Sequence, residues 1–380
     1  MIISMILIIF LFTIGKKEMA FSKVIWLNHR DIMHPKAGGA ERTIYEVSKR
    51  LVNKGYQMIW LSTKSIDLPR YQKLDGIEIH RIGGNVTSHF INLILERKIS
   101  DGAVFVDDMA HVVPWLSERS TRNPGTVFFR HLHRRTLDGQ LTTWKAKSLK
   151  AIESNYPLIY SRWPFVTESK QGVQDLRDMG IPSDRIVRIA PGVDSERMRP
   201  KEKYVEPSLV YFGGLREYKR PYEALLLLDE LRKIYPSIKL RVSGEGPSLL
   251  PMKLLASKLG VDRNVEFLGR LDEESLFDVV ARSWLNLHFS TAEGWGYSIL
   301  EASACGTPTV GYSVPGVDEA IIEGRNGIKV PEGDRENFLV SILKILNEYT
   351  VWPEVCRILA ESYSWDKTAD LWERHLTNLS

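Results

Sequence analysis

Short apolar runs of strand length alternate along most of the chain with stretches whose apolar positions recur every three to four residues, which is the pattern of strands and helices taken in turn. KVIWLNH (23–29) is a strand, a glycine-rich turn follows, AERTIYEVSKRLVNKG (40–55) has helical spacing, and QMIWLST (57–63) is the next strand. Further strands are expected at GAVFVDD (102–108), GTVFFRH (125–131), FVTES (165–169) and RIVRIAPG (185–192), so the first half reads as a parallel sheet covered by helices. Near residue 200 the polar, proline-bearing MRPKEKYVEP (198–207) has the character of a linker. The alternation then restarts with strand SLVYFGG (208–214), helix RPYEALLLLDELRKIYP (220–236) and strand IKLRVSGEG (238–246). NVEFLGR (264–270), a helix over DEESLFDVVARS (272–283), WLNLHFS (284–290), a glycine-rich loop, a helix at YSILEASACG (297–306) and TPTVGYS (307–313) complete the pattern. The expected architecture is α/β, with two doubly wound parallel-sheet domains, 19–200 and 201–380, and the last helix free to pack back on the first. Open α/β sheets bind ligands beyond the carboxyl ends of their strands, so two such domains facing one another make an interdomain cleft.

At 380 residues the chain is too long for one ordinary core, and 43% hydrophobic with 26% charged residues lies within the globular range. Two cysteines, Cys305 and Cys356, exclude a disulfide framework and a thiolate-rich metal site, and point to a reducing, cytoplasmic setting. The net charge of +4 conceals an asymmetry: residues 19–200 carry 28 Lys/Arg against 19 Asp/Glu, and residues 201–380 carry 21 against 27. The basic half is suited to an anionic partner, and the same surplus also suits an ordinary solvated surface. Residues 2–14, IISMILIIFLFTI, are almost wholly apolar, but thirteen residues reach about 20 Å where a bilayer core is ~30 Å thick. Residues 1–18 are thus either a short anchor or an over-extended start ahead of Met19.

The segment with the most specific chemistry is Glu293-Gly-Trp-Gly-Tyr-Ser-Ile-Leu-Glu301, placed between a strand and a helix. Gly294 and Gly296 allow backbone N–H groups close to a ligand, and the helix behind them presents donors and a dipole suited to phosphate. Glu301, about one turn into that helix, can accept two hydroxyl hydrogen bonds. Gly244-Glu-Gly246-Pro-Ser-Leu249 breaks the dinucleotide fingerprint at its last position, and no Walker-type phosphate loop occurs. Basic residues are scattered without a stacking platform or helix-turn-helix pattern, so nucleic acid is not an expected partner.

This segment resembles the Glu-x7-Glu motif of the retaining glycosyltransferases of family 4, which have the GT-B fold of two facing Rossmann-like domains. The markers Gly38-Gly-Ala-Glu41, Thr167-Glu-Ser169, Pro191-Gly-Val-Asp194, Gly244-Glu-Gly246-Pro247, Phe267-Leu-Gly-Arg270 and Gly324-Arg-Asn-Gly327 follow in family order over roughly residues 20–335. The resemblance implies that Glu301 holds the donor's ribose hydroxyls and that Glu293 lies by the donor sugar. Backbone groups around Gly294, Trp295, Gly296 and Tyr297 would line sugar and pyrophosphate, and Phe267 to Arg270 would border the nucleobase. Lys219, in Gly213-Gly-Leu-Arg-Glu-Tyr-Lys219, matches the lysine that contacts the pyrophosphate, so with a helix N-terminus it can stabilise the leaving group without a metal. Two departures stand out: Gly214 occupies the position where relatives carry an arginine, with Arg216 as the candidate substitute, and Trp295 replaces the usual phenylalanine. Gly38 and Gly39 fit a loop that lets donor phosphate or acceptor approach, and Glu41 reads as a helix N-terminal residue. Where relatives place a histidine near the reacting centre stands His131-Leu-His133-Arg134-Arg135; His131 is preferred, and alternation leaves His133 open. Asp107 and Asp108 are strand-end acids that helix capping explains equally well.

Together these residues lead to the expectation of a metal-independent hexosyltransferase without a resident cofactor, retaining configuration, with a nucleotide sugar as donor. The acceptor would be a lipid-linked glycan or other glycoconjugate. Leu141, Trp144, Lys145, Ala146, Lys147, Leu149 and Lys150 form a basic, aromatic-bearing stretch suited to an anionic membrane surface, which places the expected site of action at the cytoplasmic face; core packing explains Leu141 and Trp144 as well. The competing readings are a nucleotide-sugar epimerase of similar build and a catalytically silent nucleotide-sugar-binding subunit of a membrane complex.

Overall fold

The computed structural model describes residues 21–84, 101–134 and 143–379. The apolar leader, Arg135 and Leu141 lie outside the described residues. The chain divides into two compact units, one of Met1–Phe128, Leu158–Pro164 and Ala369–Ser380, the other of Phe129–Pro157 and Phe165–Thr368.

Among the described residues eight strands precede residue 190: β1 (Lys23–Leu27), β2 (Gln57–Thr63), β3 (Tyr71–Leu74), β4 (Ile77–Ile82), β5 (Ala103–Met109), β6 (Gly125–Phe129), β7 (Phe165–Thr167) and β8 (Ile186–Arg188). They are ordered β3-β4-β2-β1-β5-β6-β7-β8. β1 is parallel to both β2 and β5, with Lys23 opposite Gln57 on one side and Ala103 on the other. Val24, Ile25, Trp26 and Leu27 are all fully buried, as a strand covered on both faces requires. The helix Gly39–Asn53 follows β1; its start is capped by Glu41, whose Oε2 accepts from the Gly38 N–H at 2.7 Å. Glu41 is therefore a helix-capping residue, as its position suggested.

Sequence periodicity had not separated the hairpin β3–β4. It is antiparallel and turns at Asp75 and Gly76, whose φ angles of 47° and 82° suit a tight two-residue connection. In the same unit Trp372, on the helix Trp365–Thr377, packs its ring 4.8 Å from Trp26 and 4.9 Å from Phe128. Lys54 pairs with Asp370 and Glu373 on that helix, each at 2.5 Å. Asp107 accepts from the N–H of Ser117 at 3.1 Å and the Tyr160 hydroxyl at 2.8 Å, and Asp108 accepts from the Trp26 indole at 3.3 Å. Capping and core hydrogen bonding thus account for both strand-end acids.

The second sheet contains β9 (Ser208–Phe212), β10 (Lys239–Ser243), β11 (Val265–Gly269), β12 (Leu285–His288), β13 (Thr309–Ser313) and β14 (Gly327–Pro331), in the order β11-β10-β9-β12-β13-β14. Its pairings are all parallel. The strand order reverses between β9 and β12, the position at which open α/β sheets leave a crevice. The segment before β9 is pinned by Lys203, whose Nζ lies within hydrogen-bond reach of Ala281 O, Ser283 O, Gly306 O and Thr307 Oγ1 at 2.7–3.1 Å. Burial lowers this lysine to about 8. Both cysteines are buried free thiols that burial pushes up to about 12. Among the described residues no helix is long and apolar enough to cross a membrane.

Candidate active site

The carboxyl end of β12 runs directly into the glycine turn, and the turn into the helix Tyr297–Ala304. Alternation along an extended strand puts His288 and Ser290 on one face. Ser290 donates to Glu293 Oε1 at 2.7 Å, and the same oxygen accepts from Lys219 Nζ at 2.8 Å. His288 Nε2 lies 3.7 Å from it. The turn is supported from behind, since the Glu293 N–H donates to Pro315 O at 3.0 Å. Gly316 has a φ of 85°, and a Cβ there would stand 2.1 Å from the Glu293 carbonyl.

Burial alone would raise the Glu293 carboxyl. The Lys219 ammonium, His288 and the hydrogen bonds from Lys219 and Ser290 outweigh it and hold the group down at about 2. Burial opposes the charge on Lys219, but Glu293 raises its pKa well above the ordinary value. The two form a charged pair at neutral pH, with the lysine side chain 21% and the glutamate 16% exposed, so both retain access to solvent. Burial pushes His288 down to about 4 and keeps it neutral beside them.

Lys219 ends a short helical turn, Glu217–Lys219, in the loop after β9. That loop is joined to the one after β10: Gly213 N–H donates to Ser243 O at 3.0 Å, Leu215 N–H to Glu245 O at 2.9 Å, and Ser248 N–H to Leu215 O at 3.1 Å. The approach is closest at Gly244, φ 141°, where a Cβ would stand 1.9 Å from Gly213 O. Thr291 N–H in turn donates to Tyr218 O at 2.9 Å, which joins the lysine loop to the glutamate turn. Arg216 is exposed at the start of the same turn, and its Nε lies 3.7 Å from the point a Gly214 Cβ would occupy. The arginine side chain thus lies beside Gly214.

His131 follows β6. Its Nδ1 lies 3.8 Å from the position a Gly294 Cβ would take, so imidazole and glycine turn are neighbours. Burial first, and then neighbouring His133, push His131 down to about 3, so it is a neutral imidazole at physiological pH. The two rings lie 4.5 Å apart. His133 is held differently: its N–H donates to Glu153 Oε1 at 2.7 Å, and Arg134 Nε donates to Glu153 Oε2 at 2.8 Å. Of the pair the structure therefore puts His131 against the glycine turn and ties His133 to Glu153. Trp295 is buried beneath the turn, with the Arg188 guanidinium 5.7 Å over its ring. Glu301 lies in the second turn of the helix Tyr297–Ala304, half-buried, and Arg270 is exposed beyond the end of β11. Gly38 and Gly39 belong to the first unit, at the start of its first described helix.

The family model for Glycosyltransferase Family 4 matches residues 37–197, and that for Glycosyl transferases group 1 matches residues 194–363. The chain belongs to the family-4 glycosyltransferases. Its GT-B fold is shared with a sucrose-phosphate synthase from Thermosynechococcus elongatus, at a TM-score of 0.80 and 16% identity over 94% of this chain and all of that one. HepE of Anabaena, solved in complex with UDP-glucose, superposes at 0.74 with 14% identity over 94% of this chain and all of its own. A D-inositol 3-phosphate glycosyltransferase of Rhodococcus opacus is 30% identical over 223 residues, or 53% of this chain. That match spans about half the length of the relative.

Lys219, its paired Glu293 carboxylate and the N–H groups at the head of the helix Tyr297–Ala304 are donors and an acceptor suited to an anionic, hydroxyl-bearing ligand. Sequence reasoning had missed His288 and Ser290, although the two-residue alternation at the end of β12 is the signal that identifies them. It had assigned no role to Arg130 and had noted Glu168 only within the marker Thr167-Glu-Ser169; that the two meet has no local signal, because it depends on pairing of separate segments.

Proposed function

We propose that this family-4 chain is a retaining hexosyltransferase that moves a sugar from a nucleotide donor to an acceptor hydroxyl. The observation that carries the reading is the shared oxygen of Glu293, which accepts from Lys219 and Ser290 at the head of the helix Tyr297–Ala304. In this arrangement Lys219 is poised to transfer its contact to a diphosphate. Glu293 is then released to accept the donor sugar's hydroxyls, while Glu301 holds the ribose. As the sugar–phosphate bond breaks, the ammonium and the helix N-terminal N–H groups stabilise the charge on the departing phosphate. The acceptor hydroxyl attacks from the same face and gives its proton to that phosphate, so neither glutamate forms a covalent intermediate and no divalent cation is needed. His131, neutral beside Gly294, is suited to hold a sugar hydroxyl. The nucleotide sugar is favoured as donor because HepE, of the same fold, was solved with UDP-glucose.

For the acceptor we propose a lipid-linked glycan, reached at the cytoplasmic face of a membrane. Support comes from the basic half and from the helix Thr143–Ser154, on which Trp144 is 67% exposed among Lys145, Lys147 and Lys150. The test is release of nucleoside diphosphate from UDP-, GDP- and ADP-sugars by the purified chain in EDTA, with and without anionic vesicles bearing polyprenyl-linked glycans. Turnover of the donor without an acceptor to an epimeric sugar would identify an epimerase. Nucleotide binding with no turnover on any acceptor would identify a silent binding subunit.

A further inference from the structure

We infer that Arg130, Glu168 and Tyr297 form a positioning network that holds the glycine turn of the donor site against the segment bearing His131. The inference rests on the glycosyltransferase reading above. Glu168 stands just past the end of β7 and is 2% exposed; Arg130 stands just past β6 and is 4% exposed. Arg130 Nη1 donates to Glu168 Oε1 at 3.0 Å, and the Tyr297 hydroxyl donates to the same oxygen. A carboxylate so deeply buried is costly unless it is paired and hydrogen-bonded, so its two donors are confined to the geometry it dictates.

Each donor is attached to a reacting element. Arg130 immediately precedes His131. Tyr297 is the first residue of the helix Tyr297–Ala304 and closes the turn that begins at Glu293. The far side of the loop is closed by contact: Arg130 O and His131 Nδ1 lie 3.5 and 3.8 Å from the point a Gly294 Cβ would occupy. The path from Arg130 through Glu168 and Tyr297 back to Gly294 thus forms a ring, with His131 and Glu293 at its edge. A neighbouring set of contacts also reaches the glycine turn. Glu319 accepts from the Lys170 N–H and from Arg188 Nη2, the latter at 2.7 Å, while Arg188 also covers Trp295 inside the turn. Glu168 is too buried to touch a substrate, so its effect on transfer passes through the residues it holds. A displacement of about 1 Å at a reacting centre is enough to slow transfer, which is the sense in which this network matters to rate.

The test uses Tyr297→Phe, which deletes the hydroxyl and keeps the ring, alongside Glu168→Gln and the double variant. The expected result for Tyr297→Phe is a kcat lowered about tenfold with donor KM within about twofold, together with a lower melting temperature because the buried carboxylate loses a donor. In the double variant the loss should fall well short of the product of the two single losses, because both weaken one interaction. Tyr297→Phe at wild-type kcat, multiplicative losses in the double variant, or a fall in kcat matched by an equal weakening of donor binding would each overturn the network. A wild-type chain that releases no nucleoside diphosphate from any donor overturns the glycosyltransferase reading and this inference with it. An active wild type beside a fully active Tyr297→Phe overturns the inference alone.

Discussion

At the scale of single residues, the site is a problem of keeping unlike charges together while leaving them available. Glu293 is held at about 2 because Lys219 and Ser290 donate to one of its oxygens against the cost of burial. Removing the lysine leaves a half-buried carboxylate without its cation and, on the proposed function, a leaving group without its charge partner. Lys219→Ala is therefore expected to lower donor turnover about a hundredfold or more, read as nucleoside diphosphate release. Glu293 also has a stability signature. Its folded pKa is depressed from 4.5, so its stabilisation is full above that value and is lost as pH falls toward about 2. Glu293→Gln should flatten the wild-type loss of stability across that acid window, measured by urea denaturation at stepped pH; parallel curves would show that the pair contributes nothing. The residue types here were legible in the chain, since a lysine, two glutamates and their spacing are sequence facts. That Ser290 and Lys219 share one oxygen of Glu293 was not, because residues 219 and 293 meet only when β9 and β12 pair.

At the scale of elements, the site depends on three loops at the carboxyl ends of β9, β10 and β12. Gly244 is where two of them touch, and its φ of 141° with a Cβ position 1.9 Å from Gly213 O leaves no room for a side chain. Gly214, one residue on from that contact, is different: its Cβ would meet only the Arg216 side chain, Nε at 3.7 Å and Cγ at 4.0 Å. Gly244→Ala should separate the loops, lower the melting temperature and abolish the thermal shift produced by nucleoside diphosphate. Gly214→Ala should do neither. Equal behaviour of the two variants in a melt with and without UDP would refute this account of the loops. Element order and most strand positions could be read from the pattern, as for β1, β5 and β9, because strands buried on both faces appear as largely apolar runs. The β3–β4 hairpin could not be read that way, since the pattern of Tyr71–Leu74 is exposed or half-exposed throughout and only Asp75-Gly76 marks its turn.

At the scale of the whole molecule, both units carry histidines that burial keeps neutral. His375 in the first unit and His288 in the second are lowered to about 4, and His131 to about 3. In the unfolded chain each takes up a proton near pH 6.5. Between that value and the folded one the unfolded state binds more protons, so stability falls as pH drops through the window and recovers as it rises. The urea midpoint should decline from pH 7 to 4, and His375→Gln, remote in sequence from the glycine turn, should remove part of the decline; a midpoint constant over that range would refute the assignment. The sequence by itself determined the kind of chain this is: alternating strands and helices in two rounds, a glycine turn between two glutamates, and the family those markers belong to. Local periodicity and backbone freedom suffice for that, because they are properties of neighbouring residues. Only the tertiary structure decided which groups act together, placing His131 rather than His133 against Gly294 and joining Arg130, Glu168 and Tyr297 at one oxygen. Those contacts arise from the pairing of segments far apart in the chain, and burial, which sets the charge state of each group, exists only once those segments have packed.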